Sequence, residues 1–494
     1  MSTVLAQFFR RVEGISFHGF GLSADAYQPD LFDVLDEMGT LGCAPGYVEL
    51  FRASTPMLAA IRDRLPTMLL PYHAEGLWLT HEGWGERERT HESADLSGAV
   101  EQIETLRSAW LNHECASKVV GGHALGTYLP PYWSRERAEH LAANSVFLQA
   151  RLDAAAVPRV DGQGRNDAGA LVLLELPPLT YFSLGTLAVP EFFRLLCERS
   201  ACGLVLDMGH LWTHWRYGSG RAAESIESFV TRFLADFPVE RIVEIHVAGL
   251  TQHPTDGDDA AHDVRSDPSR APRWLDTHGA PIPAVLFDML EQVLGDPRLR
   301  SLKGLALEVD TKEPTTIAEE FAACRARFGR RLDEIAVRPS AGVEIVTQRQ
   351  LHAVQSTASL DDEAYAALVL PGDSTGEDAA HAYATREGLA RYREQYLPYE
   401  ILHWGGDLVE MFPETCERLV ARGIDLNQFV TYWFAAPSLI SAPYDFFLLK
   451  LARFLAFVES VAPDCLDGAR REAESLEAAY ALVNAPPVAA GARP

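Results

Sequence analysis

Arg241-Ile242-Val243-Glu244-Ile245-His246-Val247-Ala248-Gly249-Leu250 reads as a β-branched strand that ends at a glycine, with a carboxylate and an imidazole two residues apart. Residues two apart on a strand point to the same face, so Glu244 and His246 project side by side from an apolar run. Burying two such groups is costly unless something pairs with them or binds to them. The fold follows from the recurrence of this pattern along the chain.

Working outward, short apolar runs bounded by polar or turn residues occur at Ile15–Phe20, Tyr47–Phe51, Thr67–His73, Ala109–Glu114, Ala170–Glu175, Gly203–Asp207, Ile242–Val247 and Gly304–Val309. Such runs suit buried parallel strands. Amphipathic stretches alternate with them: Leu31–Met38, Pro56–Leu65, Leu96–Trp110, Arg135–Ala154, Pro190–Arg199, Ala222–Phe237, Ile282–Leu294 and Ile317–Leu332. Eight strand-helix repeats predict an α/β fold, a (β/α)8 TIM barrel, with a doubly wound open sheet as the competing architecture. The strand ends favour the barrel. They carry His18, Glu49, His73, His113 with Glu114, Glu175, Asp207, Glu244 with His246, and Glu308. A barrel gathers all these ends around one mouth, whereas an open sheet spreads them along an edge. No glycine-rich phosphate loop follows the first strand, which counts against a nucleotide fold.

The barrel is expected over residues 1–335 and a mainly α-helical domain over 340–485, with breaks at Pro371-Gly372-Asp373 and Gly405-Gly406-Asp407. Residues 486–494 (Pro-Pro-Val-Ala-Ala-Gly-Ala-Arg-Pro) read as a disordered tail. The formal charge of -26, from 43 basic and 69 acidic residues, argues against nucleic acid or an anionic membrane as partner and fits metal ions or a small ligand. The start of the chain shows no signal peptide, and Tyr444–Val461, with Lys450 and Arg453, is too short to span a bilayer. Seven scattered cysteines without a C-x-x-C pair suggest reduced thiols, and hence a cytoplasmic location.

Four constellations carry the chemistry: Glu244-Ile245-His246, Asp276-Thr277-His278-Gly279, Asp207-Met208-Gly209-His210, and Asn112-His113-Glu114-Cys115. His73, Glu175 and Glu308 join them at other strand ends. Taken singly, a strand histidine is commonly a satisfied core residue, and a terminal carboxylate commonly caps a helix or sits in a turn. Together they put several imidazoles and as many carboxylates at one mouth, where like charges must protonate or be neutralised. Bound cations neutralise them most simply. Mixed histidine and carboxylate ligands without paired cysteines suit iron, manganese or zinc. An excess of ligands points to about two or three ions, roughly 3.5–4 Å apart. The long loop Thr251–Arg273, with Asp256, Asp258, Asp259, His262 and Asp263, reads as a solvated acidic loop or lid.

The motifs Glu244–Gly249, Asp276–Pro281, Cys202–Asp207 and Glu308 resemble the multinuclear non-heme iron-dependent oxidases, the family that includes the methanobactin-biosynthesis oxidase. Supporting matches are Leu173–Pro177, Leu129–Tyr132 and the strand ending in His73, so the resemblance covers roughly residues 10–330. It implies a xylose-isomerase-like barrel holding two or three irons that uses O2 to oxidise cysteine residues of a ribosomally made precursor peptide. The ligands it implies are His73, His113 or Glu114, Glu175, Asp207 or His210, His246, Asp276, His278 and Glu308. Beside them Glu49 and Glu244 read from their strand positions as supporting carboxylates, Glu244 as either an orienter of His246 or a bridge. Three positions depart from the family pattern: Phe51 stands where Glu-x-His is usual, Asn112-His113-Glu114 replaces Ser-Glu-His, and Leu176 replaces Asn. They leave open two metals or three. Family members commonly work with a small peptide-recognition partner, and the helical domain of this chain is expected to replace it, with a packing or dimerisation domain as the competing expectation. The competing expectations are a divalent-metal isomerase or hydrolase on the same barrel, and a non-catalytic metal-binding protein.

Overall fold

The computed structural model describes residues 3–27, 30–51, 53–155, 169–218, 224–252, 274–275, 278–309, 312–338, 360–371, 386–437 and 445–483. In chain order the strands are β1 (Gly19–Ala24), β2 (Val48–Phe51), β3 (Tyr72–His73), β4 (Trp110–Glu114), β5 (Ser117–Val120), β6 (His123–Leu129), β7 (Leu171–Glu175), β8 (Gly203–Asp207), β9 (Ile242–Ala248), β10 (Thr251–Gln252), β11 (Trp274–Leu275) and β12 (Gly304–Val309). Eight of them close a parallel barrel in the order β1-β12-β9-β8-β7-β4-β3-β2. Two small antiparallel sheets, β5-β6 and β10-β11, stand apart from it. The (β/α)8 barrel read from the sequence is the observed architecture.

The strands are apolar throughout because both of their faces are buried. Outward-facing Leu22, Val48, Leu111, Val172, Leu204, Ile245 and Leu305 pack against Leu58, Ile103, Leu148, Phe192, Phe233, Leu290 and Phe321 of the surrounding helices. The inward face holds a second core of Tyr47, Trp110, Leu171, Leu173, Val205 and Ala306, closed at the N-terminal end of the barrel by Phe8, Val12 and Ile15. Ile15 is therefore part of this plug, not of the first strand, which begins at Gly19 and not at the expected residue 15. His18 accordingly lies at the N-terminal end of the barrel, opposite the mouth, with its amide donating to Lys303 O at 2.7 Å. On β9 a register shift sets two steps of this strand against one of β8, so that Glu244 lies opposite Val205 and His246 opposite Asp207. A bulge of this kind re-aims the side chains that follow it.

The β5-β6 hairpin was not foreseen. Its turn, Gly121-Gly122, has φ of 54° and 76°, the left-handed geometry that a tight two-residue hairpin turn needs and glycine supplies. The described residues beyond the barrel are helical, including Asp362–Val369, Leu397–His403, Pro413–Ala421, Asn427–Phe434, Phe446–Val461 and Leu466–Val483. Their core of Phe412, Phe429, Trp433, Phe454 and Phe457 includes Ala124 of the hairpin. Trp433 Nε1 donates to Ala124 O at 2.8 Å, Thr127 and Tyr396 pair their hydroxyls at 3.0 Å, and Tyr365 Oη donates to Pro130 O at 2.7 Å. The hairpin is thus the seam between barrel and helices. Among the described residues no helix is long and apolar enough to cross a membrane. The acidic loop residues 253–273, Asp276, the Gly372-Asp373 break and the 486–494 tail lie outside the described residues.

Candidate metal centre

Strand parity determines which side chains reach the mouth. Alternation puts Tyr47 with Glu49, Trp110 with Asn112 and Glu114, Glu244 with His246, and Ala306 with Glu308 on inward faces. Among the described residues three groups of ligating atoms result, each with its atoms within 4.8 Å of one another: Glu175, Asp207, His246 and Glu308; His73, Glu114 and Glu175; and Glu49, Glu244 and His246. Glu175 belongs to two groups and faces each with a different oxygen. Its Oε1 lies 3.4 Å from His246 Nδ1 and its Oε2 3.3 Å from His73 Nε2. A carboxylate placed so is arranged to bridge two ions. Asn112 Nδ2 donates to the same Oε2 at 2.6 Å and fixes its orientation.

The remaining expected ligands ring these groups. His210 Nδ1 lies 3.4 Å from Glu114 Oε1 and 2.7 Å from the Leu176 carbonyl. His278 Nδ1 lies 3.5 Å from Glu308 Oε1. Asp207 caps the helix Met208–Tyr217 by accepting from His210 N at 2.6 Å, so it serves as helix cap and site carboxylate at once. His113 is not brought to the mouth. It occupies the alternate face of β4, with Nδ1 3.1 Å from the Ala74 carbonyl, and burial lowers its pKa to about 4. Asp276 lies outside the described residues.

The electrostatics of the site follow from burial and from the partner each group faces. Burial pushes Glu114 up to about 8, and burial with the Glu49 charge pushes Glu244 up to about 7. Burial opposes the charging of His73, yet the hydrogen bond to Glu175 and the Glu49 charge outweigh it and hold the ring near 9. Burial also opposes ionisation of Glu175, but His246 and His73 hold its carboxyl well below the usual range. Among the described residues neither ring nitrogen of His246 makes a hydrogen bond, although Glu49, Glu175 and Glu308 oxygens lie 3.2, 3.4 and 3.5 Å away. Glu308 Oε2 and Glu114 Oε1 are likewise buried without a hydrogen-bond partner among the described residues. Buried polar atoms are normally satisfied. A cluster of unsatisfied nitrogen and oxygen donors converging within a few ångströms fits a cation that uses those lone pairs. The donor set, imidazole and carboxylate without thiolate, suits iron, manganese or zinc.

Other residues at the site escaped the sequence reading. Tyr47 Oη donates to Glu244 Oε1 at 2.6 Å and Trp110 Nε1 donates to Glu244 Oε2 at 2.7 Å. Ser23 Oγ donates to Glu49 Oε1 at 2.9 Å. Parity alone pointed to Tyr47 and Trp110, which share a face with Glu49 and Glu114. Beyond the ends of β3 and β4, Glu75 pairs with Lys118 of the hairpin, whose ammonium lies 4.3 Å from the Tyr128 ring centroid. Burial and the charges of Glu75, Glu114, Glu175 and Glu308 hold the Tyr128 phenol well above its ordinary range. The hairpin is therefore a wall of the site.

Residues 167–327 match the family model described as RiPP precursor modification enzyme MbnB/TglH/ChrH. This is the family that the strand-end motifs resemble, and the matched span contains Glu175, Asp207, His210, His246, His278 and Glu308. Two relatives carry the designation UPF0276 protein. The one from Paraburkholderia phytofirmans is 28% identical over 276 residues, 54% of this chain and 78% of its own length. The one from Caulobacter vibrioides is 28% identical over 167 residues, 33% of this chain, and the chain spans only 50% of its length. Among solved structures, a D-tagatose 3-epimerase-like protein aligns with a TM-score of 0.35 at 15% identity, covering 64% of this chain and 98% of its own. The IOLI protein with a binding zinc atom aligns with a TM-score of 0.33 at 13% identity, covering 65% of this chain and 100% of its own.

Proposed function

We propose that this chain is a multinuclear iron-dependent oxidase that uses O2 to modify cysteine residues of a ribosomally synthesised precursor peptide. The observation that carries this reading is the shared carboxylate of Glu175, which joins the His73–Glu114 group to the Asp207–His246–Glu308 group; Glu175, Asp207, His246 and Glu308 lie in the span 167–327 that matches a peptide-modifying family. Bound iron would supply the redox chemistry with O2 and a point of attachment for the substrate thiolate. The first group would be held by His73, Glu114 and Glu175, with His210 beside it, and the second by Glu175, Asp207, His246 and Glu308, with His278 at the rim. Asp276 joins this set as a proposed ligand from its motif alone.

The protein's own contribution is to hold these groups dry and fixed. His73, Glu114, Glu175, Asp207, His246 and Glu308 are all at most 6% exposed, so interactions among them are only weakly screened. The helical region is proposed to take the place of a separate peptide-recognition partner, because it braces the hairpin that carries Lys118 and Tyr128 over the mouth. Cytoplasmic location is part of the same proposal and rests on the seven free, buried cysteines.

The second reading, a divalent-metal isomerase or hydrolase, is favoured by one feature: Glu175, Asp207 and Glu308 with a single His246 make a carboxylate-rich set that suits manganese as well as iron. Oxygen-electrode measurements separate the two. Anaerobically prepared, iron-loaded protein given a cysteine-containing peptide is expected to consume O2 and change the mass of that peptide, whereas the serine version of the peptide is inert. Metal binding without O2 uptake under these conditions would overturn the oxidase reading and leave an isomerase, a hydrolase or a metal-binding protein.

A further inference from the structure

The two nitrogens of His246 face different surroundings. Nδ1 points to Glu175 Oε1 at 3.4 Å and Glu308 Oε2 at 3.5 Å, the carboxylates at the ends of β7 and β12. Nε2 points down the barrel to Glu49 Oε1 at 3.2 Å and Glu244 Oε1 at 3.7 Å. A neutral imidazole has one N–H and one lone pair, so one side of the ring binds and the other donates.

The lower side is already furnished with donors. Both Glu244 oxygens accept short hydrogen bonds, from the Tyr47 phenol at 2.6 Å and the Trp110 indole at 2.7 Å. An indole N–H can only donate, which fixes Glu244 as an acceptor on that side. Glu49 Oε1 accepts from Ser23 at 2.9 Å. The Tyr47 ring reaches Glu244 because Gly21 and Gly304 make room for it: a Cβ at either would come within 2.3 or 2.4 Å of the ring. On the upper side, Glu308 Oε2 has no hydrogen-bond partner among the described residues. Histidines that bind metals characteristically donate their other N–H to a carboxylate, which fixes tautomer and ring orientation.

We infer that His246 takes its metal through Nδ1, and that Glu49 and Glu244, fixed by Ser23, Tyr47 and Trp110, are positioning residues for its Nε2–H and not ligands of a further ion. The inference rests on the metal-centre reading above and deepens it: the site is dinuclear, and the third ligand group is the support of the second. Glu49 is where the alternatives differ most, because its Oε2 is buried without a hydrogen-bond partner among the described residues.

The test uses the full chain loaded with Zn2+, a diamagnetic probe, and labelled with 15N-histidine. Long-range 1H–15N spectra are expected to show a histidine with metal on Nδ1 and a proton on Nε2, and this signal disappears in His246→Gln. Competitive zinc titrations of Tyr47→Phe, Glu244→Gln and Glu49→Gln, each checked for folding by circular dichroism, are expected to retain the wild-type number of zinc equivalents with affinity weakened by about 10–100-fold. Metal on Nε2 of His246, loss of a whole equivalent in Glu49→Gln or Glu244→Gln, or unchanged affinity in all three variants would overturn the inference. Wild-type protein that binds no zinc would instead reject the metal-centre reading itself.

Discussion

Gly304→Ala is the smallest change that should disturb the metal centre without touching a ligand. A Cβ at this position would stand 2.4 Å from Cε1, Cζ and Oη of Tyr47, while on the opposite side of the ring the Gly21 position is equally close, at 2.3 to 2.5 Å. The ring is therefore clamped between two glycines and cannot retreat by the ~1 Å that an ordinary carbon contact requires. Overpacking of this kind costs about 1–3 kcal/mol. The tyrosine must also loosen its 2.6 Å hydrogen bond to the Glu244 carboxylate, and a hydrogen bond to a charged group contributes about 1.5–3 kcal/mol. The two together give about 2.5–6 kcal/mol, enough to lower the barrel's melting temperature by several degrees. Thermal unfolding followed by circular dichroism, with zinc affinity measured in parallel, should show both losses. Adding Tyr47→Leu to Gly304→Ala should restore part of the stability, because the smaller side chain makes room for the methyl, but not the affinity, because the Glu244 donor is gone. A Gly304→Ala protein that melts with the wild type and binds zinc equally well would refute the packing argument.

Glu400 of the helical region is buried, and burial raises its pKa to about 8 against an ordinary 4.5, with Lys118 and Lys450 pulling the other way. The folded state thus keeps a proton that the unfolded chain releases, so this group costs stability as pH rises from about 4.5 to 8 and adds no further change above it. Glu400→Gln should gain on the wild type over that interval, by at most a few kcal/mol, in melts compared at pH 5 and pH 8.5; equal pH profiles would contradict the burial argument. Trp433→Phe removes the donor to Ala124 O and should cost about 1–3 kcal/mol, seen as faster hydrogen exchange of the β5-β6 amides. Lys118→Met should leave metal content unchanged and raise KM for the peptide more than it lowers kcat, since Lys118 stands on the hairpin wall paired with Glu75 and belongs to none of the three ligand groups.

Much of this architecture was readable in the amino-acid order because its logic is local. The strand runs are continuous and apolar since both faces of each strand are buried, and Glu175, Asp207 and Glu308 each lie at or next to the last residue of their strand. Period-two parity also separates Glu114, which faces the mouth, from His113, which does not. What could not be read depends on distant partners. The first strand was placed too early because Ile15 is as apolar as a strand residue, although it belongs to the plug formed with Phe8 and Val12. The strand position of Glu244 alone does not separate orienter from bridge, because its two donors, Tyr47 and Trp110, come from elsewhere in the chain, and nothing in the order of residues says that the Tyr47 ring fits between Gly21 and Gly304. The hairpin had a legible signal, Gly121-Gly122 between Val119-Val120 and an alternating run, but its role at the mouth comes from its packing against Tyr396, Trp433 and Phe446.

The central claim is that this barrel holds more than one redox-active metal ion around Glu175. Elemental analysis of protein purified from iron-supplemented cells tests it most directly. The account predicts about two irons per chain with visible absorbance, reduced to one or none in Glu175→Gln with the fold intact. Colourless protein with zinc or manganese alone, or a Glu175→Gln variant that keeps its full complement of iron, would contradict it.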